Sequence, residues 1–275
     1  MKRAAFILLA ALAGYLAAGT SLWAYQARLV FEPDRSLHAR PGDFPFAVLD
    51  VAIPVQAGGK AREVLRGWWL PSASQDAKVV LYLHGNDGNV STSVAEVAPL
   101  RELGLSVLLI DYRGFGASEG RFPSEASVYE DAEAAWSYLT RAGVQPRDLY
   151  IYGHSLGGAI AIELAQRHPE AAGLVVESSF TSIADMAALD ARYAWLPVRQ
   201  FVTHRFDSIR KVGGLALPAL YVHGSADEIV PFAMGRRLFE ASGGEKRFFV
   251  LPGGPHDHDA AGARELAGAL RDFIR

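Results

Sequence analysis

A serine flanked by glycines, between a predicted strand and a predicted helix, constrains the fold of this chain more than any other feature. The motif reads Gly153-His154-Ser155-Leu156-Gly157. It follows the apolar run 149–152 and opens the Ala-rich run 156–168. In a G-x-S-x-G turn of this kind the serine lies on a sharp strand-to-helix turn, and the glycines keep neighbouring backbone clear of it. A chain with 27 glycines can also form the pentapeptide by chance, so other residues must complete the interpretation.

The elements around this motif alternate between strand and helix. Short apolar runs of the kind that parallel sheets bury on both faces predict strands, and they are separated by helical stretches. The predicted strands are 48–53, 64–70, 79–83, 106–110, 149–152, 174–176, 219–222 and 247–251, and the predicted helices are 90–103, 124–141, 156–168, 233–241 and 259–274. This order predicts an α/β fold with a mostly parallel, eight-stranded, doubly wound sheet.

Two segments of the body are less regular. The first two strands flank Gly58-Gly59 and resemble an antiparallel hairpin at the start of the sheet. Segment 182–217 is the longest stretch between consecutive predicted strands. It is interpreted either as a short cap near the site or as an ordinary packing helix with loops.

The amino terminus predicts a membrane or signal helix. Residues 4–25 carry no charge and follow Lys2 and Arg3, and about 20 apolar residues suffice to cross a bilayer. We favour a retained signal anchor, residues 1–27, ahead of a catalytic domain, residues 28–275. Cleavage near Ala17-Ala18-Gly19 would instead make the segment a secretory peptide and the protein secreted, and a buried core helix is the third alternative. The basic residues before the helix favour an extracytoplasmic body.

Composition excludes several classes of function. The net charge is −3 and no run of Lys or Arg is present, so a nucleic-acid partner is not expected. The chain has no cysteine, which excludes disulfides, a cysteine nucleophile and thiolate metal sites. Gly114-Phe115-Gly116 lacks the third glycine of a dinucleotide loop, because Glu119 stands in its place.

A serine nucleophile needs a general base and an acid that orients the base, and in this fold they follow in the order serine, acid, histidine. Asp227 lies directly after the predicted strand 219–222 and is the candidate acid, with Glu228 as the alternative. His256 lies in a loop after the last strand and is the candidate base. His258 is two residues further on and equally titratable, so the sequence leaves a choice between the two histidines.

The cluster His256-Asp257-His258-Asp259 also invites interpretation as a metal site. A zinc site needs three or four convergent ligands, and neither an HExxH motif nor a spaced Cys/His set accompanies this cluster. We therefore expect neither a metal nor another cofactor.

An acyl-transfer enzyme also stabilises an oxyanion, usually with two backbone N–H groups. Leu156, directly after the serine, is the first candidate donor. The loop after strand 79–83, which reads His84-Gly85-Asn86-Asp87-Gly88-Asn89, offers Asn86 as the second. The alternative is a polar loop with turn residues alone.

Taken together, these motifs resemble the α/β-hydrolase superfamily over about residues 31–275. They are closest to an anchored esterase-like group that includes palmitoyl-protein thioesterases and lysophospholipid lipases. The matching stretches are Leu83-His84-Gly85-Asn86, Asp111-Tyr112-Arg113-Gly114-Phe115-Gly116, Gly153 to Gly158, Glu177 to Ser182 and His223 to Pro231.

The resemblance implies that Ser155, Asp227 and His256 are nucleophile, acid and base, with Asn86 and Leu156 donating to the oxyanion. The group usually has His-Asn-Asp at the base, whereas this chain has His256-Asp257-His258.

The predicted function is therefore that of a serine hydrolase acting on a small ester, a thioester or a lipid-like substrate at a membrane. A serine peptidase or amidase on the same fold is one alternative, and a binding protein without turnover is the other. Acyl chain length, leaving group and oligomeric state do not follow from the sequence.

Overall fold

The computed structural model describes residues 2–56, 62–74, 76–193, 197–258 and 260–274. The predicted Gly58-Gly59 turn, Trp195 of the predicted cap, and Asp259 of the histidine cluster lie outside these ranges.

The centre of the fold is an eight-stranded mixed sheet, with a separate pair of two-residue strands beside it. The strands are β1 Glu32–Pro33, β2 Leu49–Gln56, β3 Arg62–Leu70, β4 Val79–Leu83, β5 Asp87–Gly88, β6 Ser106–Ile110, β7 Leu149–His154, β8 Gly173–Glu177, β9 Ala219–Gly224 and β10 Lys246–Leu251.

Strand order in the sheet is β10-β9-β8-β7-β4-β6-β3-β2. Neighbours from β10 to β6 are parallel, whereas β3 runs antiparallel to both β6 and β2. The sheet is thus mixed, and its antiparallel edge is the hairpin that the sequence predicts.

Helices cover both faces of the sheet. Their bounds are α1 Lys2–Val30, α2 Val90–Glu102, α3 Glu125–Arg141, α4 Leu156–Arg167, α5 Ile183–Leu189, α6 Val198–Phe201, α7 Ser208–Lys211, α8 Phe232–Ala241 and α9 Ala260–Phe273. Apolar side chains of α2 and α9, such as Val94 and Leu266, pack with one face of the sheet. Those of α3, α4 and α8, such as Trp136, Ile160 and Leu238, pack with the other. Two cores separated by one sheet make the fold doubly wound.

Strand β7 extends two residues beyond its predicted end at 152. Gly153 and His154 pair in register with Val176 and Glu177 of the parallel strand β8, so the ladder holds the chain extended up to the serine. Ser155 therefore follows directly on a buried strand and begins α4.

The motif that begins at Asp111 organises the loop after β6. Arg113 donates from Nε to Asp131 at 2.6 Å, and both side chains are buried. The Asp111 carboxylate accepts from the backbone N–H of Val90 at 2.8 Å, which satisfies a donor at the start of α2. The motif is accounted for by these contacts within the fold.

Helix α1 is 29 residues long, and its stretch Ala5–Val30 is long and apolar enough to cross a membrane. Only 6% of its most apolar window is buried against the rest of the protein. A signal sequence near an amino terminus meets the same criteria of length and composition, so a retained anchor and a cleaved leader both fit this helix, whereas its low burial does not fit a core helix.

Segment 182–217, hereafter the cap segment, contains α5, α6, α7 and short 3-10 turns. Ser182 begins it by accepting a hydrogen bond from the backbone N–H of Asp185 at 3.0 Å, as an N-cap of α5. The segment packs beside the end of α1, where the Gln26 side-chain oxygen accepts from the backbone N–H of Thr203 at 2.7 Å.

Candidate active site

Ser155 lies on a strained turn between β7 and α4. Its backbone has φ 52° and ψ −117°, a region that residues other than glycine rarely adopt, and its side chain is almost fully buried. The two glycines of the motif have a steric role. A Cβ at Gly153 would overlap the carbonyl of Gly157, and a Cβ at Gly157 would overlap the carbonyl of Leu83. The turn can form because both positions lack a side chain.

Asp227 and His256 come together at the carboxyl edge of the sheet. His256 Nδ1 lies 2.8 Å from Asp227 Oδ2. The other carboxylate oxygen accepts from the backbone N–H groups of Ile229 and Val230 at 2.9 Å and 2.8 Å. Glu228, the alternative acid, is exposed.

Burial raises the pKa of the Asp227 carboxyl, but hydrogen bonds from His223 and His256 outweigh burial, so the pKa lies well below its ordinary value. The carboxylate is therefore ionised at neutral pH and accepts a proton-bearing Nδ1. This contact leaves Nε2 of His256 as the nitrogen that can accept a proton.

His258 takes a different place from His256. Its Nε2 lies 3.3 Å from Oε1 of Glu177, at the end of β8, and not at Asp227. The hydrogen bond to Glu177 raises the pKa of His258 to about 9, with burial opposing it. The two histidines that the sequence leaves as alternatives thus face two different carboxylates.

A buried polar network, which the sequence did not predict, lies around His154 of the serine motif. Tyr152 donates to Glu177 at 2.6 Å, and Tyr82 donates to Glu96 at 2.6 Å. Burial lowers the pKa of His154, but the charges of Glu177 and Glu96 outweigh it and the pKa is raised. Burial also raises the pKa of the Glu177 carboxyl, and its contacts with His258 and His154 reverse that effect.

This network also holds the loop that carries His256. His154 Nε2 and Ser178 Oγ each lie 3.3 Å from the backbone carbonyl oxygen of His256. Two features of the sequence pointed to these residues. His154 lies within the serine motif, and Glu177 begins the stretch Glu177 to Ser182, which matches the α/β-hydrolase superfamily. Neither signal indicates that both residues meet the 256–258 loop.

The two candidate oxyanion donors lie beside the serine. Leu156 is the first residue of α4, and the first N–H groups of a helix have no acceptor within it. Asn86 lies in the loop between β4 and β5, and its carbonyl accepts from the backbone N–H of Glu32 at 2.8 Å. That bond belongs to the β1–β5 pairing, which fixes the loop next to Ser155.

Two cavities meet at Ser155, and both are also lined by Asn86 and Ile229. The first, hereafter the apolar cavity, has a volume of about 460 Å³ and lies between α1 and the cap segment. It is lined by Leu22, Gln26, Arg28, Leu29, Val30, Glu32, Asn86, Ser155, Leu156, Phe180, Ile183, Met186, Ala187, Asp190, Arg192, Tyr193, Val198, Val202, Ile229 and Val230.

The second, hereafter the polar cavity, has a volume of about 240 Å³ and contains His256. It is lined by Gly85, Asn86, Asp87, Gly88, Thr92, Ser93, Glu96, His154, Ser155, Ile229, His256 and Asp257. A larger groove of about 1040 Å³, between β2 and α3, is lined by none of the predicted site residues.

His154, His256 and Asp257 are the described residues that could hold a metal ion. One ligand atom from each lies within 4.8 Å of the others. Such a group includes the candidate base, so a cation bound through His256 would compete with the proton that the base must accept. His258, the other histidine of the 256–259 cluster, is not part of this group.

Comparisons with known proteins agree with the fold. Residues 74–212 match the family described as Serine aminopeptidase, S33. The uncharacterized protein MT2364 of Mycobacterium tuberculosis is 36% identical over 279 residues, covering 100% of this chain and 96% of that protein.

Solved structures extend the comparison. The Pyrococcus furiosus esterase Pf2001 has a TM-score of 0.68 and 20% identity, over 89% of this chain and 97% of that chain. A puromycin-hydrolyzing peptidase of Mycobacterium tuberculosis has a TM-score of 0.67 and 19% identity, over 83% of this chain and 39% of that chain. The predicted α/β-hydrolase fold is confirmed, and members of this fold cleave both ester and peptide bonds.

Proposed function

We propose that this chain, which belongs to the family described as Serine aminopeptidase, S33, cleaves carboxylic esters or thioesters through an acyl-enzyme on Ser155. The observation that carries the proposal is the contact of 2.8 Å between His256 Nδ1 and Asp227. That contact fixes the imidazole with Nε2 free, in a cavity that Ser155 also lines.

In the first half of the reaction, Ser155 Oγ attacks the substrate carbonyl carbon while His256 Nε2 takes the hydroxyl proton. The carbonyl oxygen becomes an oxyanion, which accepts hydrogen bonds from the backbone N–H groups of Asn86 and Leu156. The ester or thioester bond then breaks, and His256 returns its proton to the leaving group. Asp227 stays ionised throughout and stabilises the imidazolium.

In the second half, a water molecule attacks the acyl-enzyme. His256 takes a proton from the water, the second oxyanion forms at the same two N–H groups, and the carboxylic acid leaves as Ser155 regains its proton. A metal or cofactor has no step in this sequence.

Peptide-bond hydrolysis is the second candidate, because the family description names an aminopeptidase. An aminopeptidase substrate carries its α-ammonium group on the acyl part, one carbon from the carbonyl. The acidic side chains Asp87, Glu96 and Asp257 line the polar cavity with His256, on the side where the leaving group receives its proton. The apolar walls of the other cavity favour an uncharged acyl part and hence an ester or thioester.

In this proposal, α1 determines whether the enzyme stays at a membrane or is released. A retained α1 anchors the protein to a membrane with its catalytic domain outside the cytoplasm, and a cleaved one releases it. Membrane anchoring suits the thioester and lysophospholipid classes that the sequence resemblance implies.

A fluorophosphonate probe and matched substrate panels test the proposal. The purified full-length protein should be labelled and should hydrolyse acyl esters faster than the matching aminoacyl amides. Ser155→Ala should abolish labelling and lower kcat by about 10⁴-fold or more. Ser74→Ala, which changes an exposed serine in the loop before β4, is the matched control. Labelling of Ser155→Ala equal to that of the wild type would overturn the assignment of the nucleophile, and preferential amide cleavage would favour the peptidase.

A further inference from the structure

The apolar cavity has two walls that come from distant parts of the chain. Leu22, Leu29 and Val30 of α1 form one wall, and Ile183 and Met186 of α5 belong to the other. Ser155 lines the same cavity. A volume of about 460 Å³ is within the usual range for a site that encloses most of a small ligand. The cavity is therefore large enough to receive part of a substrate whose carbonyl lies at the serine.

The end of α1 is a fixed part of the enzyme body. Phe31, directly after the helix, is 1% exposed and packs edge-on against Phe206 with 6.0 Å between ring centroids. The hydrogen bond of Gln26 to the backbone of Thr203 joins α1 to the cap segment. Further up the helix, a Cβ at Gly19 would come within 3.9 Å of the Phe201 ring. The wall that α1 contributes is thus held in place by contacts of Gln26, Phe31 and Gly19 with the cap segment.

The chemistry of the lining selects an aliphatic occupant. Asp190 and Arg192 pair with each other through hydrogen bonds of 2.8 Å and 3.0 Å. The other two charged lining residues, Arg28 and Glu32, are exposed and of opposite sign, so the lining offers little net charge to a ligand. Leu29 and Ile229 line the cavity and remain 53% and 60% exposed. An aliphatic chain in the cavity would contact both of these side chains.

We propose that the apolar cavity binds the acyl chain of a medium- or long-chain ester or thioester, with α1 forming part of the binding site. The proposal rests on the proposed function, since it places the acyl carbonyl at Ser155. The leaving group then lies in the polar cavity, where His256 returns the proton. An apolar chain joined to a polar leaving group makes the substrate an amphiphile, and the end of the cavity beside α1 is where its chain enters from a lipid surface.

Substitutions that fill the cavity test this assignment. Ala187→Trp on α5 and Leu22→Trp on α1 place an indole in the cavity from opposite walls. Ala188→Trp and Leu12→Trp are the matched controls, because both positions are exposed and outside the lining. The substrates are the p-nitrophenyl esters of acetate, octanoate and laurate, measured with the full chain in detergent.

We expect each filling variant to lower kcat/KM for the laurate ester by about tenfold or more. Excluding one or two methylene groups of a substrate from an apolar pocket lowers kcat/KM by roughly that factor. Activity on the acetate ester should stay within about twofold of the wild type, since an acetyl group does not reach the indole. Both control variants should keep the wild-type ratio of laurate to acetate activity.

The outcomes separate this inference from the proposed function. Equal losses on acetate and laurate, or no loss on either, with Ser155 still labelled by fluorophosphonate, would overturn the acyl-chain site and leave the hydrolase intact. Absence of labelling and of hydrolysis in the wild type would instead overturn the proposed function. Loss of laurate activity in Ala187→Trp but not in Leu22→Trp would mean that α1 is not part of the acyl-chain site.

Discussion

The apolar and polar cavities share Ser155, Asn86 and Ile229 but differ in the rest of their lining. The apolar cavity is enclosed by α1, near the amino terminus, and by the short helices of the cap segment. The polar cavity is built on loops that follow strands of the sheet, and it holds His154, His256 and three acidic side chains. In the proposed mechanism, the groups that move protons follow strands of the sheet, and the groups that contact the acyl chain lie on α1 and the cap segment. Chemistry and substrate choice should therefore respond to different substitutions.

The largest effect should come from removing the base of the polar cavity. In the proposed mechanism, His256→Ala should lower kcat by about 10⁴-fold for every acyl chain length, because the serine loses its proton acceptor. Steady-state kinetics on the acetate and laurate esters would measure this loss. His38→Ala, which changes a histidine whose side chain is 56% exposed, should leave both rates unchanged. A loss confined to one chain length would mean that His256 acts in substrate binding.

A smaller effect, on stability, should come from the network that supports the polar cavity. We expect His258→Gln to lower the free energy of unfolding by about 2 kcal/mol at pH 7. One pKa unit corresponds to about 1.4 kcal/mol, and partial exposure of His258 reduces the total. The raised pKa of about 9 means that the stabilisation is complete below the ordinary value of 6.5 and is lost as the pH rises through 9.

Glu177, whose carboxylate contacts His258, limits the stabilisation from this contact at acidic pH. The pKa of Glu177 is lowered, so its contribution is present above the ordinary value of 4.5 and is lost as the pH falls further. Urea unfolding of the wild type and His258→Gln at pH 3, pH 7 and pH 10 measures both contributions. The difference between the two proteins should shrink at pH 10. A difference that stays constant would assign the effect to packing of the side chain and not to its charge.

The smallest effect should come from Gly85→Ala, which narrows the polar cavity without touching the apolar one. A Cβ at Gly85 would lie 3.7 Å from Ser155 Cβ and 3.8 Å from His154 Nδ1, which are ordinary contacts. Esters of bulky alcohols should lose about fivefold in kcat/KM relative to methyl esters, while the preference for acyl length stays unchanged. Gly42→Ala is the control, because a Cβ there meets no atom within 4 Å. Equal losses for methyl and bulky esters would mean that the methyl group disturbs Ser155 itself.

The sequence predicted the parts of the fold that depend on local pattern. Short, fully buried apolar runs such as β4 and β6 are recognisable because both faces of a central strand must be apolar. The Gly153–Gly157 spacing is equally local, since it reflects steric limits on a single turn.

The parts that were missed depend on contacts between distant segments. Helix α5 has seven residues, too few for local propensity to specify it. The contact of α1 with the cap segment joins residues 26 and 203, and the His258–Glu177 contact joins a loop to a strand 81 positions earlier. Such pairs follow from tertiary packing, which a single sequence does not encode in any periodic signal. Asp227 and His256, the acid and base that the sequence proposes, do contact each other. Their separation of 29 residues along the chain could not show how close they lie in space.

The backbone of Ser155, with φ 52° and ψ −117°, has a consequence for how this protein can evolve. A glycine adopts that conformation without the steric cost that a side chain incurs, so Ser155→Gly would relax the turn and remove the hydroxyl in one step. Under the proposed function, selection for a more stable chain and selection for turnover therefore favour different residues at this position. A descendant that gave up catalysis but kept the fold as a binding module would be expected to show the exchange here first.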